Sequence, residues 1–413
     1  MDAELLLIWV LGKLHDRSDT TLRSTMMPVD PASHFREQPL PDFKRAVLKV
    51  GSSLLAADGG GLSARYALGV ARFVAACHAG GREVVLVSSG AVAAGRALLR
   101  TQPDARNGLA AKQALAALGQ TPMIALWQRL FDRPVAQVLL THDDLRNRRR
   151  YLNARATLCE LLALGALPVV NENDTVAVDE LKLGDNDNLA AFVAALVDAE
   201  LLLIATDIDG LYTAHPHVDP DARPVDDAQA GAPELLAMAG GTGSNVGTGG
   251  MRTKLEAATK AAAAGIDTVL FNGRNGETLR LLALGRLRGT RLRAGKTRLQ
   301  ARKYWLRHAP SASGRIRVDA GAALALGGGR ASLLPRGIVG TDGTFSRGDV
   351  VDIVSHDQAR RIARGISQYA ASEIARIAGE HSREIEAILG YSYGETVVHR
   401  DDLVVLESGV DSA

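Results

Sequence analysis

Short apolar runs recur along the first two-thirds of the chain, and each ends in glycine, serine, asparagine or threonine. Ala46 to Val50, Glu83 to Val87, Pro134 to Leu140, Leu167 to Val170, Leu201 to Ala205 and Thr268 to Phe271 read as buried strands. Between them lie stretches of helical period. These are Ser63 to His78 closed by Gly80-Gly81, a helix through Arg96 to Leu99, and Ala110 to Leu130 with a break expected near Thr121-Pro122. Asn153 to Leu164, Asn188 to Val197 and Met251 to Ala264 complete the set. Continuous apolar strands alternating with helices predict an α/β fold, a three-layer sandwich whose mainly parallel sheet is covered on both faces. In such a sheet the chemistry sits just beyond the carboxyl ends of the strands.

The texture changes after about residue 285. Arg286 to Arg307 holds nine Lys or Arg and no acid, and reads as a basic linker over 286–313. Short β-like runs follow at Arg315 to Val318, Gly337 to Val339, Asp349 to Val354, Arg361 to Ile366 and Thr396 to His399. They predict a smaller, mostly β domain over 314–400 and a tail over 401–413. The main domain then spans 43–285. Residues 1–42 mix charges and prolines without a period and read as a disordered extension, within which Met26 or Met27 is a candidate start. Leu5 to Leu11 is too short to span a bilayer and lacks the flanks of a signal peptide.

Composition adds little to this division. The chain of 413 residues is 46% hydrophobic and 23% charged, with a formal net charge of +2, so no global field points to nucleic acid or membrane. Cys77 and Cys159 lie in separate apolar helical runs and read as two buried thiols in a reducing, cytoplasmic compartment.

Candidate chemistry clusters at the strand ends. Lys49 precedes Gly51-Ser52-Ser53, and Ser88-Ser89-Gly90 follows the second strand at a helix start. Small residues let backbone N–H groups converge on an anion there. Asn171-Glu172-Asn173-Asp174 follows the fourth strand, and Gly184-Asp185-Asn186-Asp187-Asn188 lies shortly after it. Residues 171–188 hold six acids against one base, Lys182. Asparagines offer donors and acceptors together, which suits an amino acid's ammonium and carboxylate. Thr206-Asp207 ends the fifth strand. Gly247-Thr248-Gly249-Gly250-Met251-Arg252-Thr253-Lys254 opens a helix with glycines that allow close phosphate approach. Gly289 to Thr297 has the wrong spacing for a P-loop, and no G-x-G-x-x-G follows a strand.

Together these strings resemble the amino acid kinase family, over about residues 44 to 400 and including an appended PUA-like domain. Within it they are similar to the members that phosphorylate the γ-carboxylate of L-glutamate in the first step of proline biosynthesis. The resemblance implies that Lys49 and Lys254 contact the transferring phosphate and that Asp187 orients them. It implies glutamate binding by Ser89, Asp174 and Asn186, with Asn171 and Asp185 near them. It implies ATP contacts at Lys49, at Thr206-Asp207 and from Thr248 through Gly249, Gly250, Met251, Arg252 and Thr253 to Lys254. ATP and Mg²⁺ are the implied cofactors, with no metal held by the protein alone. A homo-oligomer (dimer or tetramer), proline as feedback inhibitor and hand-over to a glutamyl-phosphate reductase are implied partners. The chain departs from the family at His215-Pro216, where Asp-Pro is usual, and at Arg252, often a small residue; both bear on the nucleotide side.

An ionised carboxylate is already a nucleophile, so this chemistry needs no general base. Two other readings stand beside it. One is a different carboxylate kinase, such as an N-acetylglutamate kinase, in which an apolar contact would replace the acids and amides around the substrate nitrogen. The other is RNA binding through the PUA-like domain and the basic stretch with Tyr304 and Trp305.

Overall fold

The computed structural model describes residues 35–56, 61–99, 108–177, 186–216, 219–238, 250–297, 300–301, 303, 306, 312–356 and 360–406. Strands in chain order are β1 (Glu37–Pro39), β2 (Arg45–Val50), β3 (Glu83–Ser88), β4 (Val135–Leu140), β5 (Leu167–Glu172), β6 (Leu201–Thr206), β7 (Asp227–Gln229), β8 (Asp267–Asn272), β9 (Arg286–Arg288) and β10 (Thr290–Arg293). The second domain adds β11 (Gly314–Val318), β12 (Ile338–Asp342), β13 (Val350–Ser355), β14 (Arg361–Ile366) and β15 (Leu403–Val405).

The main sheet has eight strands in the order β4-β5-β3-β2-β6-β8-β10-β7. The first six are mutually parallel, and β10 runs antiparallel to β8. β2 is central, with β3 on one side and β6 on the other, so the order reverses at the end of β2. Side chains alternate between two apolar layers. Ala46, Leu48 and Val50 pack with the helices Ala64–Ala79 and Leu109–Gln128. Val47 packs with the helices Asn186–Leu196 and Met251–Ala263. Alternation therefore aims Lys49 at that second pair of helices.

Two boundaries expected from sequence are corrected. Residues 35–42 are part of the fold: β1 pairs antiparallel with β9, Phe35 meets Tyr212 edge to face at 5.2 Å, and Leu40 is buried. Residues 286–293 are strand, not linker, because their arginines find acids: Arg286 pairs with Glu37, Arg291 with Asp267 and Arg293 with Asp227. β10 also runs through the Gly289 to Thr297 string, which leaves no phosphate-binding loop there.

Several helix limits also move. The helix Leu109–Gln128 continues through Pro122. A Cβ added at Gly119 would lie 1.7 Å from the Ala91 carbonyl oxygen, so the helix seats closely on the helix Ala91–Leu99. The helix Arg148–Ala163 starts five residues before Asn153, because the Asn147 side chain accepts the Arg150 N–H.

The C-terminal domain carries a five-stranded sheet in the order β12-β11-β13-β14-β15 around its own core, including Ile316, Ile353 and Tyr369. Its last strand is Leu403–Val405 rather than Thr396 to His399, so the expected tail enters the sheet. Val398 makes only an isolated bridge to Leu333. No described helix is long and apolar enough to cross a membrane. Cys77 is buried and Cys159 half-buried, and both are free.

Candidate active site

Lys49 sits one residue from the end of β2, in register with Val87 of β3 and Ile204 of β6. Its ammonium is 2.6 Å from Asp187 Oδ1, and that of Lys254 is 3.0 Å from Asp187 Oδ2. Asp187 is fully buried, and the lysines are 5% and 7% exposed. Helix starts supply the geometry. Asp187 is the second residue of the helix Asn186–Leu196, and Lys254 lies in the first turn of the helix Met251–Ala263 behind Gly250. The Thr253 hydroxyl donates to Asp187 Oδ2 at 3.1 Å or to the Gly250 carbonyl at 2.7 Å. Burial alone would raise the Asp187 pKa, but the Lys49 and Lys254 ammoniums reverse this and hold it at about 2. Two ammoniums thus share one carboxylate at the switch point of the sheet. Two ammoniums held side by side suit an anion arriving there.

A second cluster adjoins the first. The Asn186 amide donates to Ser89 Oγ at 2.7 Å, to Asn171 Oδ1 at 2.9 Å and to the Ser88 carbonyl at 3.3 Å. One side chain thereby ties together the ends of β3 and β5. Gly90 follows Ser89 at φ +104°, a conformation that favours glycine, and turns the chain into the helix Ala91–Leu99. Ser88 is buried beneath and accepts the Trp127 indole N–H at 2.9 Å.

At the end of β5, Glu172 and Asp174 are half-buried acids. Burial and then the charge of Asp174 push Glu172 up to about 7, and burial raises Asp174. Among the described residues no three acids, histidines or cysteines converge to hold a metal.

Of the residues singled out from sequence, Lys49, Asp187, Thr253 and Lys254 meet, as do Ser89, Asn171 and Asn186. Asp174 stands beside Glu172. Thr206 is buried at the end of β6, and the exposed Asp207 is 3.7 Å from Arg274. Gly250 caps its helix and Met251 begins it, whereas Arg252 pairs with Glu256 on the surface at 3.0 Å. Asp185, Thr248 and Gly249 lie outside the described residues, as do Tyr304 and Trp305. His215 is described, and its backbone carbonyl accepts the Asp219 N–H.

Sequence reasoning missed Arg274, which also donates to the Ser53 carbonyl at 3.1 Å and so links the turn after β2 to the end of β8. It missed the Trp127 contact as well. Neither lies in a motif, and both depend on helices and turns meeting across the sheet.

The model of the amino acid kinase family matches residues 44–272, and that of the PUA domain matches residues 314–389. A protein named glutamate 5-kinase from Xanthomonas axonopodis pv. citri is 71% identical over 363 residues, which is 87% of this chain and all of that one. Another of that name from Xylella fastidiosa is 65% identical over 384 residues, 92% of this chain and all of that one. Among solved structures, a UMP kinase from Bacillus anthracis covers 62% of this chain and 98% of its own, at 14% identity and a TM-score of 0.44. With two-thirds or more of its length aligned to such relatives, and with the lysines and asparagines of strand ends and helix starts assembled as described, the chain belongs to the amino acid kinase family and carries an appended PUA domain.

Proposed function

We propose that the chain transfers the γ-phosphoryl group of ATP to the γ-carboxylate of L-glutamate, forming L-glutamyl 5-phosphate for proline biosynthesis in the cytoplasm. The observation that carries this reading is the buried Lys49–Asp187–Lys254 cluster, one residue from the Asn186 that joins Ser89 and Asn171. The kinship to proteins named glutamate 5-kinase supports the choice of substrate.

In this mechanism the substrate carboxylate is ionised and attacks without a base. Catalysis is alignment plus neutralisation of charge on the moving phosphoryl group. Lys49 and Lys254 face that group, and Asp187 fixes the position of both. ATP enters as its Mg²⁺ complex, the metal held chiefly by phosphate. Thr206, Asp207 and the residues from Thr248 to Lys254 border the nucleotide. Ser89, Asn171, Asp174, Asp185 and Asn186 receive glutamate, with the acids and amides facing its ammonium. Homo-oligomerisation, inhibition by proline and transfer of the acyl phosphate to a reductase belong to the same proposal.

Coupled ADP release with glutamate against N-acetylglutamate tests it. Turnover is expected with glutamate and is expected to fall when proline is added. Equal efficiency on N-acetylglutamate would sink the substrate assignment.

A further inference from the structure

A cavity of about 700 Å³ lies between the kinase domain and the PUA domain, away from the two-lysine cluster. Its floor comes from the helices Arg148–Ala163, Asn186–Leu196 and Met251–Ala263, and its roof from Arg347, Ile366 and Gln368. Much of the lining is apolar, with Phe192 on the floor and Ile366 above.

Among the described residues, three cations and two carboxylates line this wall, with the Lys260 side chain exposed at its edge. Arg155, Lys260 and Arg347 face two carboxylates, Asp198 and Asp402. Arg155 pairs with Asp198. Lys260 reaches only neutral partners among the described residues: Asn188 Oδ1 at 2.7 Å and the Phe192 ring at 5.6 Å. Arg347 lies flat on Tyr393, 3.7 Å from the ring centroid, and its buried Nε has no hydrogen-bond partner among the described residues. A buried donor without an acceptor is costly, so such sites are places to look for a ligand.

We propose that this cleft binds a small organic monoanion with an apolar body, its charge shared by Lys260 and Arg347 and its body packed between Phe192 and Ile366. The anion competes with Asn188 for the Lys260 ammonium. Asn188 is 9% exposed and directly follows Asp187, so occupation of the cleft changes the restraint on the helix start that holds the two catalytic lysines. This second half rests on the reaction proposed above, whereas the binding site does not.

The probe is 1-anilinonaphthalene-8-sulfonate, an apolar monoanion, titrated into the full chain and read by fluorescence. Binding is expected to saturate at one molecule per chain. Removing one charge by Lys260→Met or Arg347→Gln is expected to weaken it by about tenfold, the scale of one charge-assisted contact. Ala195→Trp, which fills the cavity from its helical wall, is expected to abolish it. Near-ultraviolet circular dichroism identifies any variant that has lost its packing, and Arg347→Gln, on the PUA-domain side of the cavity, keeps the test decisive if Lys260→Met does so. Equal binding by parent and by all folded variants, or no saturable binding to the parent, overturns the site. Saturating probe is expected to shift kcat/KM for glutamate in the parent and not in Lys260→Met. Binding with no shift in the parent overturns the coupling. If the parent shows no glutamate-dependent turnover, the proposed reaction fails while the fluorescence arm still decides the site.

Discussion

Asp187→Asn removes a charge from the centre of the kinase domain and changes little else. An asparagine amide matches a protonated carboxyl in size and, like it, is neutral. The variant's cost at neutral pH therefore approximates the free energy that ionised Asp187 gains in the folded chain. Its pKa falls from 3.8 to about 2, and each unit corresponds to about 1.4 kcal/mol, so the loss is about 2 kcal/mol. The sign is that of a depressed carboxylate. The contribution is complete above about pH 3.8 and is lost as pH falls through about 2, so an assay at pH 7.5 sees all of it. Asp187→Ala goes further. It removes the carboxylate that both buried ammoniums share, and breaking such a group costs about 3–5 kcal/mol. Urea unfolding followed by tryptophan emission measures both variants. Adding MgATP is expected to recover part of the asparagine variant's loss, because phosphate supplies the missing negative charge. If Asp187→Asn matches the parent within about 0.5 kcal/mol, the Lys49–Asp187–Lys254 cluster is not the electrostatic centre argued here.

Lys49→Ala or Lys254→Ala is expected to lower kcat by about 100-fold or more while near-ultraviolet circular dichroism is retained, as for the loss of one transition-state contact; near-parental turnover in either refutes its assignment. Gly119→Ala places a methyl carbon 1.7 Å from the Ala91 carbonyl oxygen and is expected to cost about 1–3 kcal/mol. Because that contact seats the helix just after Ser89, KM for glutamate should rise as well; steady-state kinetics and thermal unfolding measure the two effects. Glu172, pushed up to about 7, resists ionisation in the folded chain. Stability should therefore decline as pH rises from about 4.5 towards 7, and Glu172→Gln should flatten that decline; parallel Tm profiles for the two proteins would exclude it.

By itself the sequence determined the alternation of strand and helix, the covered parallel sheet and the positions of the strand ends. Those features are local, since an apolar run bounded by glycine or asparagine carries its own period and its own stop. Asn171, Asn186, Lys49 and Lys254 were legible for the same reason: each lies at the end of a strand or within the first turn of a helix. The sequence also showed too much loop. Residues 37–39 and 286–293 have no period that marks them as strands: 37–39 and 286–288 become strands only by pairing with each other across roughly 250 residues, and 290–293 by joining β8 and β7. The three-way contact at Asp187 belongs to tertiary structure alone. It requires β2 to present Lys49 on the same face as two helices that carry Asp187 and Lys254, residues 67 apart in sequence. The sharing of one carboxylate by Lys49 and Lys254 exists only once packing removes water from those side chains. Sequence names the charges; the fold decides which of them are left facing one another.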